Sequence, residues 1–227
     1  MIRLNMSREH KDVFFGAFAR VGKALAHPAR LELLDLLAQA PRTVDELASL
    51  STLSVANASQ HLQTLWRAGL VTRDKRGLYV TYRLASPQVV ALCDALREVA
   101  RAQLAEVERA ARKFLDDGGE ESIEAAELQD RLRKGTAIVI DVRPPEEFAA
   151  AHLEGALSVP LEELRARIAS LPKRKEIVAY CRGPYCVLAV EAVRVLRASG
   201  RRARRLADGV NEWSARGLPV QHEESRT

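Results

Sequence analysis

The sequence predicts two domains: a mainly α domain that closes with a β-hairpin, followed by an α/β domain built on a parallel sheet. Three observations predict it. Helical apolar spacing recurs up to residue 69 and gives way there to two β-rich runs, whereas beyond residue 121 short apolar strands alternate with helices. Charge divides the same way. Residues 1–113 hold 17 Lys and Arg against 11 Asp and Glu, and residues 114–227 hold 18 against 19, so an excess of +6 sits in the first half. A basic half points to a polyanionic partner, nucleic acid foremost, and leaves the nearly neutral half for different work.

At 227 residues the chain exceeds the usual single domain of roughly 100–150 residues, and its 47% apolar content is ample for two cores. Asp116-Asp117-Gly118-Gly119-Glu120-Glu121 has no apolar residue, so 116–121 reads as a linker between domains at 1–115 and 122–227. Three cysteines, Cys93, Cys181 and Cys186, are too few for a disulfide framework, and no apolar run has the length of a membrane span or a secretory leader. A reducing cytoplasm without membrane attachment is the expected setting.

In the first domain, Phe14/Phe15, Phe18, Val21 and Leu25 define a helix that stops before Pro28. A second helix runs from Pro28 to Ala38 with Leu31, Leu34 and Leu37 inward. Thr43 with Glu46 forms a capping-box pair that opens a short helix carrying Val44 and Leu47 inward. The next helix, Ser54 to Ala68, ends at Gly69 and turns Val55, Ala58, Leu62 and Leu65 to the core. Leu70–Arg73 and Leu78–Arg83 then read as a hairpin whose tip is Asp74-Lys75-Arg76-Gly77. From Ser86-Pro87 an apolar stripe follows a helix of about 28 residues, long enough to need a partner within the domain or across a dimer axis.

This order is that of a winged helix-turn-helix, in which the recognition helix enters the major groove of double-stranded DNA and the wing lies on the backbone. Ser54, Asn57, Ser59, Gln60, His61 and Thr64 are the candidate contacts on the helix, and Arg73, Lys75 and Arg76 on the wing. His61 reads equally as a packed surface histidine, and His27, ahead of Pro28, as a structural hydrogen-bonding residue. Leu25-Ala26-His27-Pro28-Ala29-Arg30-Leu31, Ser54 to Leu62 and Leu65-Trp66-Arg67-Ala68-Gly69-Leu70-Val71 resemble the ArsR/SmtB family over residues 10–112. The resemblance implies a homodimer held by the first and last helices, binding an inverted repeat and repressing until an inducer releases it. Relatives that sense metals use cysteines before the turn or Asp and His on the final helix. Residues 43–47 hold no cysteine and the final helix no histidine, so neither a metal site nor a cofactor is expected. Cys93 falls on the apolar stripe and reads as a buried small hydrophobe.

The second domain reads as helix Glu124–Arg133, strand Ala137–Val142, helices Pro145–Ala150 and Leu161–Ser170, strand Ile177–Tyr180, helix Val187–Ala198, strand Ala203–Leu206 and helix Val210–Ala215. The strand ending at Tyr180 runs into Cys181-Arg182-Gly183-Pro184-Tyr185-Cys186-Val187. A cysteine where a parallel strand turns into a helix N-terminus faces backbone N–H groups and the positive end of a dipole, which lowers a thiol pKa and holds a thiolate or persulfide. Cys-based phosphatases share that position but need an arginine at the fifth or sixth place after the cysteine to grip the oxyanion. Cys186 and Val187 stand there, which disfavours phosphate and arsenate chemistry.

Asp141-Val142-Arg143, Glu147-Phe148, His152 to Ala156, Val159-Pro160, the Cys181 loop, Asp208-Gly209-Val210, Trp213 and Gly217 to Val220 resemble the rhodanese family over residues 121–222. The resemblance implies that Cys181 accepts sulfane sulfur from a small donor as a persulfide and passes it to a thiol acceptor or cyanide. Pro184 departs from the more usual glycine and removes one N–H, and Cys186 stands where Arg or Thr often contacts the donor anion, so thiosulfate is the weaker expectation. Two readings stay open for Cys186: a thiol that resolves an oxidised or persulfidated Cys181, with consequences for the DNA-binding half, or a packed residue at a helix start. Asp141 and Arg143 either support the loop or fix a strand end. The expected function is a dimeric transcriptional regulator with a sulfur-capturing domain. The alternatives are a sulfurtransferase whose winged helix serves dimerisation or autoregulation, and a binding module with an inactive second domain.

Overall fold

A computed structural model of the protein describes residues 8–77, 79–115 and 122–223, and the side chains of Glu9, Arg76 and Tyr79 fall outside the described set. Leu78 of the expected hairpin and the expected linker at 116–121 lie outside the described residues. The chain divides into two compact units, Met1–Arg97 and Glu98–Thr227.

The first unit runs α1 (Arg8–Leu25), α2 (Pro28–Leu37), β1 (Arg42–Thr43), α3 (Val44–Leu50), α4 (Val55–Arg67), β2 (Val71–Arg76) and β3 (Tyr79–Leu84) before entering α5 (Pro87–Gln103). The helices start where local chemistry supplies a cap. His27 Nδ1 accepts from Ala29 N at 3.1 Å ahead of Pro28, which bears out its structural reading. Thr43 and Glu46 exchange side-chain-to-backbone hydrogen bonds, the predicted capping box, and Ser54 Oγ accepts from Asn57 N at 3.2 Å. Leu33, Leu34, Leu37, Leu47, Leu62 and Leu65 form a core closed by the antiparallel sheet β1-β3-β2, and Cys93 packs there as the apolar stripe predicted. Two expectations are corrected. Val55, at the first turn of α4, is 50% exposed, because the turn projects past the core that Ala58 enters. The final long helix breaks at Leu104, whose extended backbone (φ −112°, ψ 99°) separates α5 from α6 (Ala105–Phe114), with no proline or glycine at the break.

The second unit continues with α7 (Ala125–Arg133), β4 (Ala137–Asp141), α8 (Pro145–Ala150), β5 (His152–Leu153), β6 (Leu157–Ser158), α9 (Leu161–Arg167) extended by a 3-10 turn at Ile168–Ser170, β7 (Glu176–Tyr180), α10 (Leu188–Ala198), β8 (Ala203–Arg205), α11 (Val210–Ala215) and β9 (Val220–Gln221). Strands β6-β4-β7-β8 form a parallel sheet, the predicted class, and the unforeseen pair β5-β9 is antiparallel. The period of two along β7 sorts its side chains. Ile177 and Ala179 enter the core that includes Ala189, Ala192 and Val193 of α10, while Val178 and Tyr180 enter the one with Leu128, Val210 and Trp213. Cys181 continues the Ile177 side, so it meets the N-terminal end of α10. Among the described residues no helix is long and apolar enough to cross a membrane.

Candidate functional site

The cysteine loop occupies the carboxyl end of β7, the central strand beside β4 and β8. Cys181 is 3% exposed, and its Sγ donates to the Cys186 carbonyl at 3.4 Å. Cys181 lies within the core beneath the loop and Cys186 packs against that same core. Burial pushes the Cys181 thiol well above its ordinary range, Cys186 adds to that, and the backbone N–H groups of Ala189 and Gly183 pull the other way. Depth thus works against the low thiol pKa expected for Cys181, and the loop amides work for it. Cys186 is brought down to about 7, first by the hydrogen bond from Cys181, against burial, with help from the Arg182 and Leu188 backbone and the Arg182 charge. Cys186 is thus the more acidic thiol of the loop and Cys181 the more deeply buried one.

Arg182 does not aim its charge at the sulfurs alone. Its Nε donates to both carboxylate oxygens of Glu147 at 3.1 and 3.0 Å and its NH2 to Oε1 at 2.7 Å; Glu147, on α8, is fully buried. On the other side of the loop Gly209 approaches so closely that a Cβ there would stand 2.5 Å from the Arg182 carbonyl carbon and oxygen and 2.7 Å from Gly183 N. Glu212 accepts from Gly209 N at 2.9 Å and fixes that approach at the start of α11. Pro184, Tyr185 and Val187 complete the turn, with Tyr185 and Val187 exposed and α10 starting at Leu188, one residue later than expected. Asp141 accepts from Arg143 N at 3.0 Å and from its guanidinium, which also donates to Ala151 O at 2.7 Å. That geometry ties the end of β4 to the segment before β5.

Sequence reasoning passed over Glu147, Gly209 and Glu212 as site residues. Glu147 and Gly209 meet the loop across 26 to 35 positions, so spacing carried no signal for them, whereas Glu212 lies three residues after Gly209, a capping spacing that was there to read.

On the first unit, Asn57 and Gln60 face open surface on α4. Ser59, His61 and Thr64 are half-buried: Gln63 Nε2 donates to Ser59 Oγ at 3.5 Å and Thr64 Oγ to Gln60 O at 3.1 Å. Ser54 serves as the helix cap. The His61 ring packs on His27 at 4.4 Å, and burial, then the charges of His27 and Arg30, hold its pKa below the usual value. Arg73 of β2 lays its guanidinium 4.1 Å from the Trp66 ring, a contact that draws the wing toward α4 and that the sequence did not signal. Lys75 is exposed opposite Val80, and Arg76 ends β2 opposite Tyr79.

The family description "Bacterial regulatory protein, arsR family" matches residues 27–73, and "Rhodanese-like domain" matches residues 124–216. The chain is 43% identical over 212 residues to the HTH-type transcriptional regulator Rv0324 of Mycobacterium tuberculosis, covering 93% of each. It is 29% identical over 100 residues to a sulfurtransferase of Allochromatium vinosum, covering 43% of this chain and 92% of that one. A solution structure of a homodimeric winged helix-turn-helix DNA-binding domain from Mycobacterium bovis is 37% identical, covering 44% of this chain and 94% of that one, with a TM-score of 0.41. With a regulator matched along nearly its whole length and both domains found in order, the chain belongs to the ArsR family of bacterial transcriptional regulators, in a form that carries a carboxyl-terminal rhodanese-like domain.

Proposed function

We propose that the protein is a homodimeric cytoplasmic repressor that binds operator DNA through α4 and the β2–β3 wing, and that Cys181 captures sulfane sulfur as a persulfide whose presence lowers operator affinity. The observation that carries the sulfur half is the placement of Cys181: buried at the end of a central parallel strand, under the amides of Gly183 and Ala189, with a second thiol against it. A sulfur atom bound there leaves water and enters a polar, hydrogen-bonding cradle. The DNA half rests on Asn57 and Gln60 at the open surface of α4 and on Arg73 and Lys75 of the wing. The dimer rests on α1, whose Val13, Phe14, Phe15 and Phe18 are 54–66% exposed, with Leu92 and Leu96 of α5 also exposed, an apolar surface that a second copy would cover.

A second reading, a sulfurtransferase with a winged helix for dimerisation or autoregulation, is favoured by the match to the Allochromatium sulfurtransferase. One experiment separates them. A promoter fragment from the protein's own locus is titrated by fluorescence anisotropy with full-length wild type and Cys181→Ser, each reduced or loaded with inorganic polysulfide, at two salt concentrations. The proposal expects loading to weaken wild-type binding by about tenfold, roughly 1.4 kcal/mol of coupling, and to leave Cys181→Ser unchanged. Unchanged wild-type affinity alongside sulfur transfer to a thiol would leave only the enzyme reading.

A further inference from the structure

Within the second unit, two thiols share one loop, with Cys181 Sγ 3.4 Å from the Cys186 carbonyl and both residues packed in one core, and the uptake of sulfane sulfur uses only one of them. We infer that the pair reduces the sulfur it captures: Cys186 attacks the inner sulfur of the Cys181 persulfide, closes a Cys181–Cys186 disulfide and expels the sulfane sulfur as hydrogen sulfide. This rests on the reading that Cys181 takes up sulfane sulfur.

The steps balance with a low-molecular-weight persulfide as the only co-reactant. In the first, the S–H proton of Cys181 passes to the Cys186 sulfur. The freed Cys181 sulfur bonds to the outer sulfur of the donor, the donor's S–S bond breaks, and its thiolate leaves. In the second, Cys186 sulfur bonds to Cys181 Sγ, the bond from Cys181 to the outer sulfur breaks, and the Cys186 proton leaves with that sulfur as hydrogen sulfide. The sulfane sulfur gains two electrons, and the two cysteines lose one each to form the disulfide. No other oxidant is needed.

Geometry favours attack at the inner atom. The main chain between the two cysteines turns tightly, with Cys186 N donating to Gly183 O at 3.1 Å, and it brings the Cys186 carbonyl to 3.4 Å from Cys181 Sγ itself. Thiol–disulfide exchange goes to the sulfur that is accessible to the attacking thiol, here the one that residue 186 already adjoins. Cys186 is also the thiol of the pair that ionises first, as an attacking sulfur must. Gly183, with only hydrogen beside the Glu212 carboxylate at the loop's outer side, allows the loop to adjust as the sulfurs approach bonding distance.

The test uses the full-length protein, reduced and kept without oxygen, treated with one equivalent of glutathione persulfide. Released sulfide is measured with an electrode and the intact protein by mass spectrometry. Wild type is expected to release sulfide and to become lighter by two hydrogens, reversibly with dithiothreitol. Cys186→Ser is expected to become heavier by one sulfur and to release no more sulfide than the buffer control. Cys181→Ser is expected to do neither. If wild type holds the added sulfur just as Cys186→Ser does, the reductive step is overturned and the capture reading stands. If neither wild type nor Cys186→Ser takes up sulfur, the capture reading falls and this inference with it. Sulfide release undiminished in Cys181→Ser would also overturn it.

Discussion

Replacing Gly209 by alanine tests how far the sulfur site depends on an approach between two segments remote in sequence. The new Cβ would lie 2.5 Å from Arg182 carbonyl carbon and oxygen, and ordinary contact begins near 3.4 Å, so the segments must part by about 0.9 Å. Both obstructing atoms and the Gly183 nitrogen at 2.7 Å are backbone, so no side chain can rotate away. Overpacking of this kind costs about 1–3 kcal/mol. For a domain of this size that lowers the midpoint of thermal unfolding by roughly 5–20 °C. The displaced part is the amide of Gly183, one of the two that pull against burial at Cys181, and misplacing a catalytic cradle by about 1 Å can slow its chemistry by up to ~100-fold. Calorimetry of the full-length protein, followed for the transition that Gly209→Ala moves, gives the first quantity. Stopped-flow loading with polysulfide at a temperature where the variant is folded gives the second. A variant that melts with wild type and loads at the wild-type rate would refute the reasoning.

Glu147→Gln should destabilise the chain by about 3 kcal/mol, since it strands Arg182, only 16% exposed, without its carboxylate; urea denaturation within ~0.5 kcal/mol of wild type would contradict this. The rate of alkylation of the loop by iodoacetamide should rise as pH passes about 7, where Cys186 loses its proton, and Cys181→Ala, lacking the S–H donor, should move that midpoint upward; an unmoved midpoint would refute the assigned hydrogen bond. Gln60→Ala should relax operator specificity, costing about 1–3 kcal/mol against the best site only, while Lys75→Ala should weaken all sequences alike and reduce the salt slope by about one phosphate. Competition titrations at several salt concentrations distinguish the two. Thiosulfate should load Cys181 at least about tenfold more slowly than glutathione persulfide, because the loop cation is already engaged by Glu147; equal rates by cyanide-linked sulfur assay would refute that, at the cost of roughly 1.4 kcal/mol of assumed discrimination.

What the sequence made legible is what nearest neighbours decide. The Thr43–Glu46 box, the cap before Pro28, the alternation along β7 and the turn of Cys181 into a helix each need only a few consecutive residues, and each is present. The same holds for Asp141 and Arg143, two apart, which fasten a strand end. What spacing could not show are approaches across the fold: Glu147 to Arg182, Gly209 to the loop, Arg73 to Trp66. Periodicity also overreached at its margins, since a stripe of apolar residues continues through Leu104 although the helix does not, and Val55 has the right phase for the core but sits one turn short of it.

The charge on the loop is where these levels meet. Motif logic assigned the thiolate to Cys181, because a strand-to-helix turn collects amides there. The fold adds depth: Cys181 continues the buried side of β7, where ionisation is costly, while Cys186 stands at the entrance to α10, closer to solvent. The more buried sulfur is thus the harder of the two to ionise and its neighbour the easier. Attack then requires that a proton shift from one cysteine of the loop to the other, which leaves the buried site with the same net charge. An oxyanion donor gains nothing from such a loop, because Arg182 already faces a carboxylate, whereas a sulfane sulfur needs only a nucleophile and an exit for its former partner. An arginine in place of Cys186 would grip an oxyanion; a thiol there disfavours phosphate and arsenate chemistry and, in the reaction we infer, supplies the second electron source that turns captured sulfur into sulfide.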